Sequence, residues 1–347
     1  MIWKILYLNK SRDHGTLGHL LSVMGRLPKA KKPKEDLNAC FDALMTILNG
    51  YIVAAACKEL GIDHPESELS GLNAMTASEK LTFIVALSNK VVEDCTVMTD
   101  ALLNKTVVET NDGVYNYSRV LCHYAALCLE FTDAWAEGDG ERVLRCWRFF
   151  LLHFHVNGRT KYALEALTLQ FQLATLRPSL VHQLTWGRFI NTHGGAGRNI
   201  PRDLFNEHIN RLFKDAVQRM GANFTEQATT RVARSITFLE KLCTQFDART
   251  RIAPVTSAHT TKEDKKDMQQ IVNIVLQNKL LHVIPGCYHT NFPQMSYNPL
   301  NDLDWNKMKE WIKNKVLAQK RYQPLAEGDI SDEDAASESD SSDSDNE

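Results

Sequence analysis

Asp203 and Glu207 lie four residues apart in a segment with helical periodicity, so the two carboxylates would share one helix face. Paired carboxylates of this kind can bind a divalent metal ion or exchange protons in catalysis. A structural interpretation is equally open: Asp203 would stabilise the positive end of the helix, and Glu207 would pair with Arg211. Asp203 and Glu207 are therefore the candidate catalytic residues.

A glycine-rich run, residues 191–204, leads into the same segment. The pattern predicts that the helix begins within this run, with Asn199 as its N-cap and Pro201 in its first turn. Amide groups at a helix start, beside arginine side chains, can bind phosphate. The run is not a P-loop, because the Gly-Lys-Ser/Thr ending is missing and no strand is predicted before it. A tight turn that needs positive φ explains the same pattern. The candidate phosphate-binding residues are Gly194, Gly195, Gly197, Arg198 and Arg202.

The cysteines and histidines do not predict a metal site. Eight cysteines are spread along the chain without a C-x-x-C pair, which is typical of free thiols in a reducing, intracellular compartment. The spacings in the densest group do not place ligands on one helix face, and known zinc sites use shorter and more regular spacings, so core packing is predicted for it. No cofactor is predicted. The group comprises Cys122, His123, Cys128, Cys146, His153 and His155.

The charge of the chain is divided between a basic body and an acidic tail. Residues 326–347 carry ten acidic and no basic side chains, whereas residues 139–251 carry 17 basic and nine acidic ones. A basic segment of this size predicts a polyanionic partner such as nucleic acid, although solvated arginines explain it too. The tail is nearly free of apolar residues, so we expect it to be disordered and suited to binding basic proteins.

Serines in the tail match the preference of acidophilic kinases, since each has an acidic residue three positions further on. Phosphorylation would add nearly two negative charges at each site. The basic run at residues 29–34 resembles a short nuclear-import signal, which favours the nucleus over the cytoplasm. The predicted phosphorylation sites are Ser331, Ser337, Ser342 and Ser344.

Helical periodicity covers most of the chain, so an all-α fold is predicted. Apolar residues recur every three or four positions, for example from Val143 to Phe154, where Asp139 is the predicted N-cap. They do so again from Tyr162 to Leu176, and this helix is predicted to stop before Arg177-Pro178. The best strand candidates, Val107–Thr110 and Leu281–Ile284, are short. No apolar run approaches the roughly 20 residues of a membrane span, so no membrane partner is expected.

Changes in composition divide the chain into four parts. We predict a helical domain over residues 1–250, a linker over 251–264 and a C-terminal helical segment with an ordered loop over 265–325. The disordered acidic tail, residues 326–347, follows.

Several runs of the sequence are long enough to be specific to one family. They resemble the family of unknown function DUF6589, an abundant eukaryotic group associated with transposons, over roughly residues 1–250. The runs are Ile2-Trp3-Lys4, Asp13-His14-Gly15-Thr16-Leu17, Gly138-Asp139-Gly140-Glu141-Arg142, Cys146-Trp147-Arg148, residues 158–167, and residues 186–211.

The resemblance implies a decayed or domesticated transposase with an RNase H-like nuclease core. Such α/β cores use three acidic residues to hold two metal ions, Mg²⁺ or Mn²⁺, for phosphodiester cleavage. Glu207 is the best match for the third acidic residue, with Asp203 second. The strands and acidic motifs expected first would precede Ile2, so the chain resembles the helical, C-terminal portion of such a protein.

Three functions follow from these observations. The leading hypothesis is a non-catalytic, transposase-derived protein that binds DNA or a chromatin protein through its basic surface. The second is part of a nuclease or transposase that needs an upstream segment to supply the missing carboxylates. The third is a protein-interaction scaffold whose basic body binds its own acidic tail.

Overall fold

The structure is a computed structural model. It describes residues 2–322 except 8–12, 31, 34, 70, 97–110, 193, 251–263, 294, 297–298 and 301. The predicted all-α fold is confirmed, since the described residues form helices and a single two-stranded sheet. Two short 3₁₀ helices, Leu72–Ala74 and Gly221–Asn223, lie between α-helices. The α-helices are α1 (Ile2–Leu6), α2 (Leu17–Val23), α3 (Leu27–Ala30), α4 (Leu37–Leu60), α5 (Ala77–Cys95), α6 (Gly113–Glu137), α7 (Gly140–Val156), α8 (Thr160–Thr175), α9 (Pro178–Trp186), α10 (Arg202–Arg219), α11 (Glu226–Thr250), α12 (Asp264–Gln277) and α13 (Trp305–Tyr322).

Local capping signals set the boundaries of the central helices. Helix α6 ends at Gly138, whose φ of 74° is the left-handed conformation that glycine adopts without strain. Asp139 then begins α7, because its carboxylate accepts the amide of Arg142 at 3.0 Å; the predicted N-cap is confirmed. Helix α8 ends at Thr175, before Arg177-Pro178 as the sequence predicted. Pro178 occupies the first turn of α9.

The larger core is built around α4, which packs against α12, α5 and α6. Tyr51, Tyr117 and Tyr124 are among its fully buried side chains. Helices α4 and α12 approach closely at Gly50, where a Cβ atom would lie 2.6 Å from Cγ2 of Ile271. Residues at opposite ends of the chain therefore share one core.

Helix α4 is, by length and composition, apolar enough to cross a membrane. This differs from the expectation that no apolar run approaches such a length. However, ten of its 24 residues are buried, and seven of these belong to the larger core. Packing against the neighbouring helices therefore accounts for its apolar composition.

A second core joins α7 and α8 to the C-terminal part of the chain. Leu151 and Leu167 pack there with Leu300, Leu303 and Met308, and the last of these lies on α13. Helices α10 and α11 form a separate pair that packs mainly on itself. No residue of α10 is buried.

The strand predictions and the predicted connectors have different outcomes. Leu281–Ile284 is a turn and loop, because the amide of Ile284 donates to the carboxylate of Asp112 at 2.6 Å instead of to a partner strand. Val107–Thr110, linker residues 251–263, the acidic tail and its four serines lie outside the described residues. The division into domains stays a prediction; α12, which follows the linker, packs on α4.

Candidate nucleic-acid interface

A short β-hairpin carries the glycine-rich run. Strand β1 (Phe189–Ile190) pairs antiparallel with β2 (Ile200–Pro201), so a strand does precede the loop, contrary to the prediction. The prediction of Asn199 as a helix N-cap is also wrong, since α10 begins at Arg202. The side-chain amide of Asn199 instead donates to the carbonyl oxygen of Ala136 at 2.8 Å, which ties the loop to α6.

The three loop glycines have the positive φ values of a tight turn: 71° at Gly194, 87° at Gly195 and 68° at Gly197. The side chain of Asn191 closes this turn by donating to the carbonyl oxygen of Gly195 at 2.8 Å. The glycine amides therefore lie before the start of α10 and not within its first turn. The turn explains the glycines, and phosphate binding by them stays a prediction.

Arg198, in the loop, and Arg202, the first residue of α10, are both exposed. The backbone amide of Arg202 donates to the carbonyl oxygen of Arg188 at 2.7 Å, which fixes the start of α10 against the hairpin. The guanidinium of Arg202 lies 3.4 Å from the carbonyl oxygen of Gly187. Arg198 in the hairpin loop and Arg202 at the start of α10 thus both lie at the hairpin, with their side chains exposed.

The two candidate catalytic carboxylates occupy different surroundings. Glu207 lines an open cleft of about 480 Å³, whereas Asp203 does not. Burial lowers the pKa of Arg188, and the charge of Asp203 opposes this shift, so Asp203 acts electrostatically on Arg188. The cleft is lined by Thr192, Ile200, Leu204, Phe205, Glu207, His208 and Arg211.

The ion pair expected between Glu207 and Arg211 is not formed among the described residues; Arg211 instead lies 3.4 Å from Nδ1 of His208. Within the same part of the chain, no three His, Cys, Asp or Glu side chains are grouped so that they could hold a metal ion. A catalytic role for Asp203 and Glu207 stays a prediction.

We define the basic arm as residues 188–241. It consists of the hairpin, α10 and the described side chains of α11 as far as Lys241. It contains nine basic and five acidic residues. Ion pairs between described residues occur at positions 26–142, 267 and 304–307, and none involves a side chain of the basic arm. Its positive charge is therefore not neutralised by close pairs in the described structure.

Two histidines on different helices lie close together, a contact that the spacing of residues on a single helix could not predict. Nε2 of His123 on α6 lies 3.4 Å from Nε2 of His153 on α7. Nδ1 of His153 lies 3.3 Å from the hydroxyl of Tyr124. His153 is 1% exposed, and burial lowers its pKa to about 3. The pair is a polar contact within the α6–α7 interface, remote in sequence from the basic arm.

The sequence model of a family of unknown function, DUF6589, matches residues 1–259. The chain belongs to this family. No curated protein and no solved structure matches it. The DUF6589 match includes the basic arm and ends before α12 and α13, although both helices pack against the matched region.

The DUF6589 runs near positions 13 and 138 have structural functions. Thr16 caps α2, and the amide of Leu17 donates to the hydroxyl of Tyr117 at 3.0 Å, which joins α2 to α6. Arg142 donates to the carboxylate of Glu130 at 2.8 Å and to that of Asp133 at 2.7 Å, which joins α7 to α6. These runs therefore fix how the helices pack.

Proposed function

We propose that this DUF6589 protein binds nucleic acid through the basic arm. The proposal rests on the exposed positive charge of Arg198, Arg202 and the rest of α10 and α11, which forms no ion pair among the described residues. Phosphate groups attract such a surface, and the counterions that they release on binding supply much of the affinity. The transposon association implied by the family resemblance favours DNA, alone or as part of chromatin, as the partner.

The cleft beside the hairpin supports the same proposal. Phe205, His208 and Arg211 line it together, while Arg198 lies in the adjoining loop and Arg202 at the start of α10. Aromatic rings with nearby cations are the usual components of surfaces that bind bases and phosphates together. In this arrangement Arg198 and Arg202 contact the phosphate backbone of the nucleic acid, and Phe205 offers an apolar surface to one of its bases.

Replacing Arg198 and Arg202 together by glutamine is expected to weaken DNA binding and its dependence on salt. Each lost phosphate contact lowers the slope of log affinity against log salt by about 0.9 for duplex DNA, so the slope should fall by about 1.8. Fluorescence anisotropy at several KCl concentrations measures both effects. Lys29→Gln, which removes an exposed charge from α3, is the matched control. Absence of binding by the parent at low salt, or equal slopes, would contradict the proposal.

A second candidate function is that of a nuclease part, which the position of Glu207 in the cleft beside His208 favours. We nevertheless expect no DNA cleavage by this chain in Mg²⁺ or Mn²⁺. Two-metal chemistry needs carboxylates that hold ions roughly 3.5–4 Å apart, and only one of the two candidate carboxylates lines the cleft.

Incubation of plasmid and single-stranded DNA with each metal tests this expectation. The matched control is Glu207→Gln, which keeps the size of the side chain and removes its charge. Cleavage by the parent chain that disappears in this variant would favour the nuclease over the non-catalytic protein.

A further inference from the structure

One face of α11 carries a regular row of exposed residues. Arg231, Arg234, Phe238 and Lys241 follow one another at spacings of three, four and three, which places them along one side of the helix. All four are exposed. Ile236, on another side of the helix, is 7% exposed. We call these four residues the α11 stripe; it points away from the buried side of the helix.

The charge of the α11 stripe has no local partner. None of its three cations has an acidic residue three or four positions away, so helical ion pairs cannot form. Among the described side chains of α11, the acidic one is Glu226, which at 100° per residue falls on another side of the helix. The stripe therefore presents three positive charges along about 15 Å of helix.

The aromatic member distinguishes this stripe from an ordinary solvated face. Phe238 is 65% exposed and stands between Arg234 and Lys241. A ring held in water between cations offers a flat surface on which a nucleic-acid base can stack, while the neighbouring cations contact phosphates. In a duplex both faces of each base are covered by neighbouring bases, so stacking on this ring would first require unstacking. A single strand has bases free to stack.

We propose that the α11 stripe binds single-stranded nucleic acid, with a base stacked on Phe238 and phosphates held by Arg231, Arg234 and Lys241. The inference rests on the proposed function and specifies the form of nucleic acid and the residues that contact it. The recognition of single strands is thus assigned to α11 and is separate from the phosphate contacts of Arg198 and Arg202.

The test compares a labelled DNA oligonucleotide, as a single strand and as a duplex, by fluorescence anisotropy with the full chain. Phe238→Ala should lower single-strand affinity about tenfold, leave the salt slope unchanged and change duplex affinity little. Tyr288→Ala is the matched control and should leave both affinities unchanged, because that ring is 67% exposed and lies outside the basic arm. Joint replacement of Arg231 and Arg234 by glutamine should lower the single-strand salt slope by about 1.4.

Circular dichroism establishes that each variant remains folded, as expected for changes at exposed positions. If the parent binds neither oligonucleotide at low salt, the proposed function fails and this inference fails with it. If Arg198→Gln with Arg202→Gln weakens binding while the stripe variants equal the parent, the inference is overturned and the proposed function stands. Equal losses for single strand and duplex in Phe238→Ala would overturn the preference for single strands.

Discussion

A chain shortened to residues 1–259 is expected not to fold, although this range is the whole DUF6589 match. The shortened chain lacks α12 and the turn after it, which supply five of the most deeply buried side chains of the larger core. Each is at most 2% exposed: Ile271, Val272, Val275, Leu280 and Leu281.

The free energy lost with these five side chains is large enough to prevent folding. Full burial of an aliphatic side chain contributes about 1.5–3 kcal/mol, so the five together contribute roughly 8–15 kcal/mol. This is as large as the whole stability of a typical domain, about 5–15 kcal/mol. The second core would also lose Leu300, Leu303 and Met308. Arg26, 5% exposed, would lose Asp267, whose carboxylate lies 2.9 Å from its guanidinium.

Far-UV circular dichroism and urea unfolding of the shortened chain provide the measurement. The control is a chain that ends at residue 322, which keeps both helices and removes only the residues after α13. It should unfold cooperatively with the midpoint of the full chain. Cooperative unfolding of residues 1–259 at the same midpoint would show that the matched region is a folding unit by itself, as the predicted domain division assumes.

Features with local causes could be predicted from the sequence. The helical period predicted the fold class because a helix that packs on a core places its apolar residues along one face. The N-cap at Asp139 and the helix stop before Pro178 were also correct, since a cap depends on residues within one turn of it. No contact with a distant part of the chain was needed to recognise them.

Features that depend on distant contacts could not be predicted. Asn199 has the composition of an N-cap, but its side chain bonds to Ala136, 63 residues away in the sequence. Strands of two residues, such as Phe189–Ile190, are too short to show a period. His123 and His153 lie on different helices, so the argument from spacing on one helix did not apply to them.

The free energy of unfolding is expected to fall by about 3 kcal/mol between pH 7 and pH 5 because of His123 and His153. Burial lowers the pKa of His153 to about 3, and its neighbour His123 adds to the shift. Burial likewise lowers the pKa of His123 to about 4. Both rings are therefore neutral in the folded protein over this range. Their polar contacts, from Tyr124 to His153 and between the two rings, carry no charge that would favour the protonated form.

The free energy of unfolding falls at lower pH because the unfolded chain binds protons before the folded chain does. In the unfolded chain a histidine has a pKa of about 6.5, so it gains a proton as the pH falls below that value while the folded ring does not. Stability is fully present above pH 6.5 and is lost as the pH falls toward about 4 and about 3. His153 should account for about 2 kcal/mol, and the partly exposed His123 for less.

Replacing both histidines by leucine isolates their contribution. The loss of stability between pH 7 and pH 5, measured by urea unfolding, should shrink by about 3 kcal/mol relative to the parent. His19, His155 and His289 also have lowered pKa values, so some pH dependence will remain. The slope of stability against pH is the readout, because the double variant can differ from the parent at pH 7 through packing. Equal slopes in the parent and the double variant would show that the two rings are not held neutral in the folded state.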